Sequence, residues 1–162
     1  MTLIIDGHNL IPHLPGMDLA DPDDEEKLIA LLVEYCRLRR QTAEVYFDRA
    51  PIGQAGKRRI GKVLAIFVQE GSSADAAIMA RLRKLGKRAK NVRVVSSDRQ
   101  VAQAARAMYA EVQSSQDFAA EWQRMIEQKP ELDPRNRSLS EEEVKKWEVL
   151  FRNTNQEPHD EE

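Results

Sequence analysis

Apolar positions along this chain fall into two alternating rhythms. Thr2–Ile5 (TLII), Ala43–Phe47 (AEVYF), Val63–Val68 (VLAIFV) and Val92–Val95 (VRVV) are short runs that read as buried strands. Between them the apolar residues recur at helical spacing. Leu28, Leu31, Leu32, Tyr35 and Leu38 predict a helix from about Asp24 to Arg39. Ser72 or Ser73 caps a second helix to about Lys87, with Ile78, Leu82 and Leu85 inward and Arg81, Lys84 and Arg88 outward. A third runs from Asp98 to about Tyr109. A short fifth strand near Ala110–Val112 then precedes a helix opened by Ser114 or Ser115, which carries Phe118, Trp122, Met125 and Ile126 on one face. Strands alternating with helices read as βαβ units. The expected fold is therefore α/β, three layers, with a central parallel sheet of about five strands flanked by helices.

Two stretches break the rhythm. Arg49–Lys62 is glycine-rich and basic, has no apolar period and predicts a mobile loop. From Lys129 the composition changes, so the main domain is expected over residues 1–128 and a proline-containing linker over 129–139. Ser140 and Glu143 form a capping box, and Val144, Trp147, Leu150 and Phe151 make the apolar stripe of an amphipathic helix over 140–152. Residues 153–162 have the composition of a disordered tail.

The strand pattern gives the acids their meaning. Asp6 follows the first run in IIDGHNL, Asp48 follows the second, Asp75 comes after the third in GSSADAAI, and Asp98 after the fourth in VVSSDRQ. If the runs are parallel strands, these carboxylates gather on one edge of one sheet, where α/β proteins bind ligands. Asp6 and Asp98 end the two strands expected at the sheet's centre. Gathered carboxylates repel and raise each other's pKa unless a cation lies between them. An oxygen-rich site suits Mg²⁺ or Mn²⁺. Asp75 sits at a helix start, where the dipole should lower its pKa and keep it ionised. Aspartate is also a favoured N-cap, which by itself would account for Asp75 and Asp98. Asp48 is an accessory candidate, to orient a water or cap the basic loop. Asn9 can hold the Asp6 turn or touch a substrate phosphate. Gly7 is expected to supply a permissive backbone. His8 is a second accessory candidate, read as packing or stacking against substrate rather than ligating, since hard cations prefer oxygen. The acidic run Asp23–Glu26 is explained by a helix N-terminus.

Net charge is −2, but the average hides an asymmetry. Residues 49–99 carry a balance of +10, and residues 129–162 carry −4. A basic middle beside an acidic site suggests a polyanionic substrate. No apolar run reaches the roughly 20 residues of a membrane helix, and Cys36 alone cannot form an internal disulfide. A cytoplasmic location is the expectation. No GxxxxGK[ST], GxGxxG or GxSxG occurs, so phosphate cradles and a hydrolase elbow are not signalled.

IIDGHNLI, VYFD, the GSSADAAI helix start, VVSSDRQVAQAA and AEVQSSQDFAAEW together resemble the NYN domain, a PIN-like nuclease family, and within it the YacP-like group. The resemblance covers about residues 1–128. It implies a PIN-like sheet whose acids bind Mg²⁺ or Mn²⁺, and an activity similar to that of ribosome-associated endoribonucleases. By motif, Asp6, Asp75 and Asp98 match the metal-binding acids, and Asn9 the polar residue after the first. Relatives often carry a second acid right after the helix-start aspartate; here that residue is Ala76.

The expected function is metal-dependent endoribonuclease, with Lys57, Arg58, Arg59 and Lys62 gripping RNA phosphates beside the site. Two alternatives stay open. One is a catalytically inactive PIN-like module that binds RNA or the ribosome; the other is a phosphatase acting on small molecules.

Overall fold

The computed structural model describes residues 1–50 and 53–128. The linker, C-terminal helix and tail expected over 129–162 lie outside the described residues. Among the described residues six strands form one sheet: β1 (Thr2–Asp6), β2 (Thr42–Ala50), β3 (Gly56–Ile60), β4 (Val63–Gln69), β5 (Val92–Val95) and β6 (Glu111–Gln113). Their order is β3-β4-β2-β1-β5-β6, and all neighbours are parallel except the β3–β4 pair. The helices are α1 (Gly7–Leu10), α2 (Asp24–Arg39), α3 (Ala74–Leu85), α4 (Arg99–Ala107) and α5 (Ser115–Gln128).

Alternation along the strands sorts side chains into two cores. Leu3 and Ile5 of β1, Val45 and Phe47 of β2 and Ala65 of β4 pack with Leu28, Leu32 and Tyr35 of α2 and Phe118 and Trp122 of α5. On the other face Ile4, Tyr46 and Val94 pack with Ile78 and Leu82 of α3 and Val101 and Ala105 of α4. The three layers follow from that division. Arg81, expected to point outward, instead makes a two-pronged bond to Glu44 at 3.0 and 2.9 Å and ties α3 to the sheet.

The expected mobile loop over 49–62 is largely strand. β3 runs antiparallel to β4, with Ile60 opposite Val63 and Gly56 opposite Phe67. Gly61 and Lys62 make the two-residue turn, and Gly61 adopts φ 59°, a conformation open to glycine at little cost. An edge strand facing solvent needs little apolar content, which is why no period announced it.

The chain grows outward from β1 to β2 and β4 on one side, then returns to place β5 on the other. The order therefore reverses between β1 and β5. Ligands of open α/β sheets bind outside the carboxyl ends of the strands at such a point. Among the described residues no helix is long and apolar enough to cross a membrane.

Candidate active site

Asp6 closes β1 at the carboxyl edge of the sheet, and the chain turns at once into α1. The turn is tight because Gly7 lies against Phe47: a Cβ there would stand 2.4 Å from Phe47 Cε1. Space, rather than an unusual φ, requires glycine. The turn sets Asp6 deep in the edge, only 6% exposed.

The segment after β5 meets it. Ser96 is buried, accepts a hydrogen bond from the Asp98 amide at 3.0 Å and donates to Asp6 Oδ2 at 3.4 Å. Asp98 caps α4, with Oδ1 accepting from the amides of Gln100 and Val101 at 2.8 and 3.2 Å. Both bonds use one oxygen, so capping leaves Oδ2 available for a second task. Asp75 enters from the first turn of α3, whose N-cap is Ser73.

Burial pushes Asp6 up from 3.8 to about 7, and the neighbouring Asp75 and Asp48 charges add to the rise. Asp75 is also raised, first by burial and then by Asp98, so the lowering expected from its helix N-terminus is overridden. Asp75 thus lies within electrostatic reach of both Asp6 and Asp98.

Asp48 arrives by a different device. The β2–β4 register shifts between Phe47 and Ala50, with Arg49 at φ 62°, so Asp48 and Arg49 together oppose one residue of β4. Such a bulge re-aims the side chain it carries. Asp48 Oδ1 lies 2.9 Å from His8 Nδ1, and Glu25 Oε2 lies 2.8 Å from His8 Nε2. With a carboxylate on each nitrogen both must donate, and the Glu25 bond leads in raising the imidazole to about 9. His8 is therefore an imidazolium with no lone pair for a metal. It also tilts against Phe47, with centroids 5.4 Å apart. Glu25 was hidden in the acidic run that a helix dipole already explained.

Asn9 ties the far wall. Its Oδ1 accepts from the Ser97 amide at 2.9 Å and from Ser115 Oγ at 2.6 Å. A backbone N–H can only donate, so the side-chain oxygen is identified and Nδ2 faces the other way as a donor. Ser97 Oγ in turn bonds Gln116 Oε1 and accepts from the Ser115 amide at 3.0 Å. Ser96, Ser97 and Ser115 were missed as site residues; the paired serines in VVSSD and VQSSQD were the available signal.

The basic residues are not where the loop reading put them. Arg58 points to the α2 face, where Nη2 bonds Glu26 at 2.9 and 2.8 Å and the guanidinium lies 5.7 Å from the Phe67 ring centroid. It braces the fold. Lys57 is level with Asp6 through the Ile66 and Tyr46 register but three strands away, about 14 Å at ordinary strand spacing. Lys57 and Arg59 are exposed. Lys62 precedes β4 and its carbonyl accepts from the Ala43 amide, at the end of the sheet opposite the acids. It does not stand beside the site.

The donor set fits a divalent cation in kind: hard carboxylate oxygens, mutually repelling, with free lone pairs. Among the described residues no three His, Cys, Asp or Glu side chains are grouped to hold an ion as they stand. Ala76, next to Asp75, is exposed.

These features define a three-layer α/β domain with a carboxylate cluster at its topological switch point. The chain belongs to the YacP-like NYN domain family, whose match runs over residues 3–154. That makes it a nuclease-like, RNA-related domain. It is similar to the crystal structure of Rae1 (YacP) from Bacillus subtilis, with TM-score 0.63 and 23% identity over 98% of this chain and 99% of that one. A point variant of the same protein gives TM-score 0.58 and 24% identity over 78% and 79%. At these identities the likeness speaks to the fold alone. No curated protein matches the chain.

Proposed function

We propose that this protein is a metal-dependent endoribonuclease that hydrolyses phosphodiester bonds at the β1–β5 switch point. Structured RNA, including RNA held on a ribosome, is the substrate class, and the cytoplasm is the expected compartment. One observation carries the reading. A carboxyl 6% exposed is pushed up to about 7 by burial and by two acid neighbours, an arrangement that costs stability unless a cation relieves it.

Asp6, Asp75 and Asp98 would hold Mg²⁺ or Mn²⁺, which supplies Lewis acidity toward the phosphate and a more acidic water. The rest is done by the chain. Asn9, locked by Ser97 and Ser115, presents Nδ2 as a donor suited to a phosphate oxygen. His8, clamped by Asp48 and Glu25, holds its proton and a fixed positive charge beside the acids. The Ser96 bridge fixes the spacing of Asp6 and Asp98 across the two central strands.

The test separates cutting from holding. Asp6→Asn and Asp98→Asn should abolish cleavage of a structured RNA in Mn²⁺ while RNA binding in chelator is retained. Full cleavage by either variant would remove the acids from the mechanism. Wild-type binding without cleavage in any divalent metal would instead favour an inactive RNA-binding module, the reading that the absent second acid at Ala76 keeps in view.

A further inference from the structure

Beyond the acids, a cleft of about 420 Å³ opens between α4, β6 and the start of α5. Its volume falls in the range of small-molecule sites, roughly 300–1,000 Å³. Ser96 and Ser97 belong to its lining, so it adjoins the acid cluster through the same segment that carries Asp98. Its chemistry is different from theirs. Arg99, Ala102 and Arg106 line it at i, i+3 and i+7, one face of α4, with the two arginines about 10 Å apart along the axis. Neither is ion-paired among the described residues. Val112 and Ala102 give an apolar patch between the charges. Across the cleft, Gln116 has its oxygen engaged by Ser97, which leaves the amide nitrogen as a donor. Asp117 is the one acid in the lining, and its amide donates to Ser114 Oγ at 3.0 Å in the first turn of α5.

We propose that this cleft seats a nucleotide of the RNA strand next to the scissile phosphate, so that the strand leaves the acid edge along α4. The inference rests on the nuclease reading and extends it to the path of the substrate. Arg99 takes the phosphate nearer the acids and Arg106 one farther along. The base lies against Ala102 and Val112, within reach of the Gln116 donor. Asp117 accepts from a ribose hydroxyl, a group RNA has and DNA lacks at the 2′ position. A second observation extends the path. α4 ends at Ala107, and two residues further on Tyr109 is 83% exposed and held at φ 67°. Its positive φ is that of a helix C-terminal cap, with the Tyr109 and Ala110 amides bonded to the Arg106 and Ala105 carbonyls at 2.9 and 3.0 Å, and the cap leaves the exposed ring as a stacking platform for a following base.

The path is tested by binding of a fluorescein-labelled 12-nucleotide single-stranded RNA to the full chain in EDTA, which needs neither metal nor turnover. Arg106→Gln removes a charge-assisted contact and should weaken binding about tenfold, lowering the salt slope by about 0.7. Ala102→Trp fills the cleft without altering charge and should weaken binding by a similar factor. Tyr109→Asn keeps a residue tolerant of positive φ, removes the ring and should weaken binding at least about fivefold. Thermal melts of each variant establish that it is folded; Arg106 and Tyr109 are exposed, so their substitution leaves the core intact. Wild-type binding matched by Arg106→Gln and Ala102→Trp would overturn the path and leave the nuclease reading standing. Absence of RNA binding by the wild type would overturn both.

Discussion

Asp6→Asn should make the metal-free protein more stable at alkaline pH while removing its activity. The folded state holds this carboxyl at about 7 against an ordinary 3.8, chiefly because it is buried. Raised folded affinity for the proton means that stability falls as pH climbs from about 4 to 7: the unfolded chain has released its proton while the folded one keeps it. Above 7 the penalty is fully present. About three pH units correspond to a ceiling of ~4 kcal/mol, and relaxation around the charge should leave about half. At roughly 2–4 °C per kcal/mol for a chain of this size, Asp6→Asn should melt about 4–8 °C higher than wild type at pH 8 in EDTA. At pH 4.5 the gain should shrink to about a quarter, since little of the linkage window has been crossed. Mn²⁺ at 1 mM should raise the wild-type midpoint at pH 8 and leave the variant's unchanged, because only the wild type has the full ligand set. Circular dichroism melts at the two pH values decide. An equal or lower midpoint for Asp6→Asn at pH 8, or a gain that does not vary with pH, would refute the idea that Asp6 is a strained charge awaiting a cation.

Four further outcomes follow from the geometry. Mn²⁺ affinity measured by calorimetry should rise about tenfold per pH unit up to about 7 and then flatten, because the ion displaces the Asp6 proton. His8→Ala leaves Asp48 and Glu25 without their shared donor and should cost about 1–3 kcal/mol at pH 7, read by urea denaturation. Gly7→Ala forces a Cβ into the Phe47 ring and should destabilise by about 1–3 kcal/mol, visible as a lower melting point. Arg58→Ala should lower the melting point slightly through loss of its Glu26 pair, with the salt slope of RNA binding unchanged.

Much of the site was legible because strand ends are easy to read when strands are buried on both faces. β1 and β5 are nearly continuous apolar runs, and the aspartates after them fall where the runs stop. α2 spans Asp24–Arg39, the range its leucine spacing predicts. What escaped reading was long-range. Nothing local to His8 announces that Asp48, 40 residues on, and Glu25, 17 residues on, will clamp it. The bulge that turns Asp48 toward His8 exists only in the pairing of β2 with β4. β3 escaped because a solvent-facing edge needs few apolar residues, although the Gly61-Lys62 pair between Ile60 and Val63 is a two-residue turn signal. Treating that strand as loop made its charges look free. Arg58 is instead engaged on the α2 face, and Lys62 lies at the far end of the sheet. The dipole argument at Asp75 failed on magnitude: burial and the Asp98 charge outweigh one helix N-terminus.

Metal-dependent strand scission tests the central claim most directly. The full chain, stripped with EDTA and incubated with an end-labelled structured RNA, should leave the RNA intact. Readdition of Mg²⁺ or Mn²⁺ should produce discrete internal cleavage products, and the same metals should produce none with Asp98→Asn. Cleavage that persists in chelator, or RNA that stays intact under every divalent metal while remaining bound, would contradict the account.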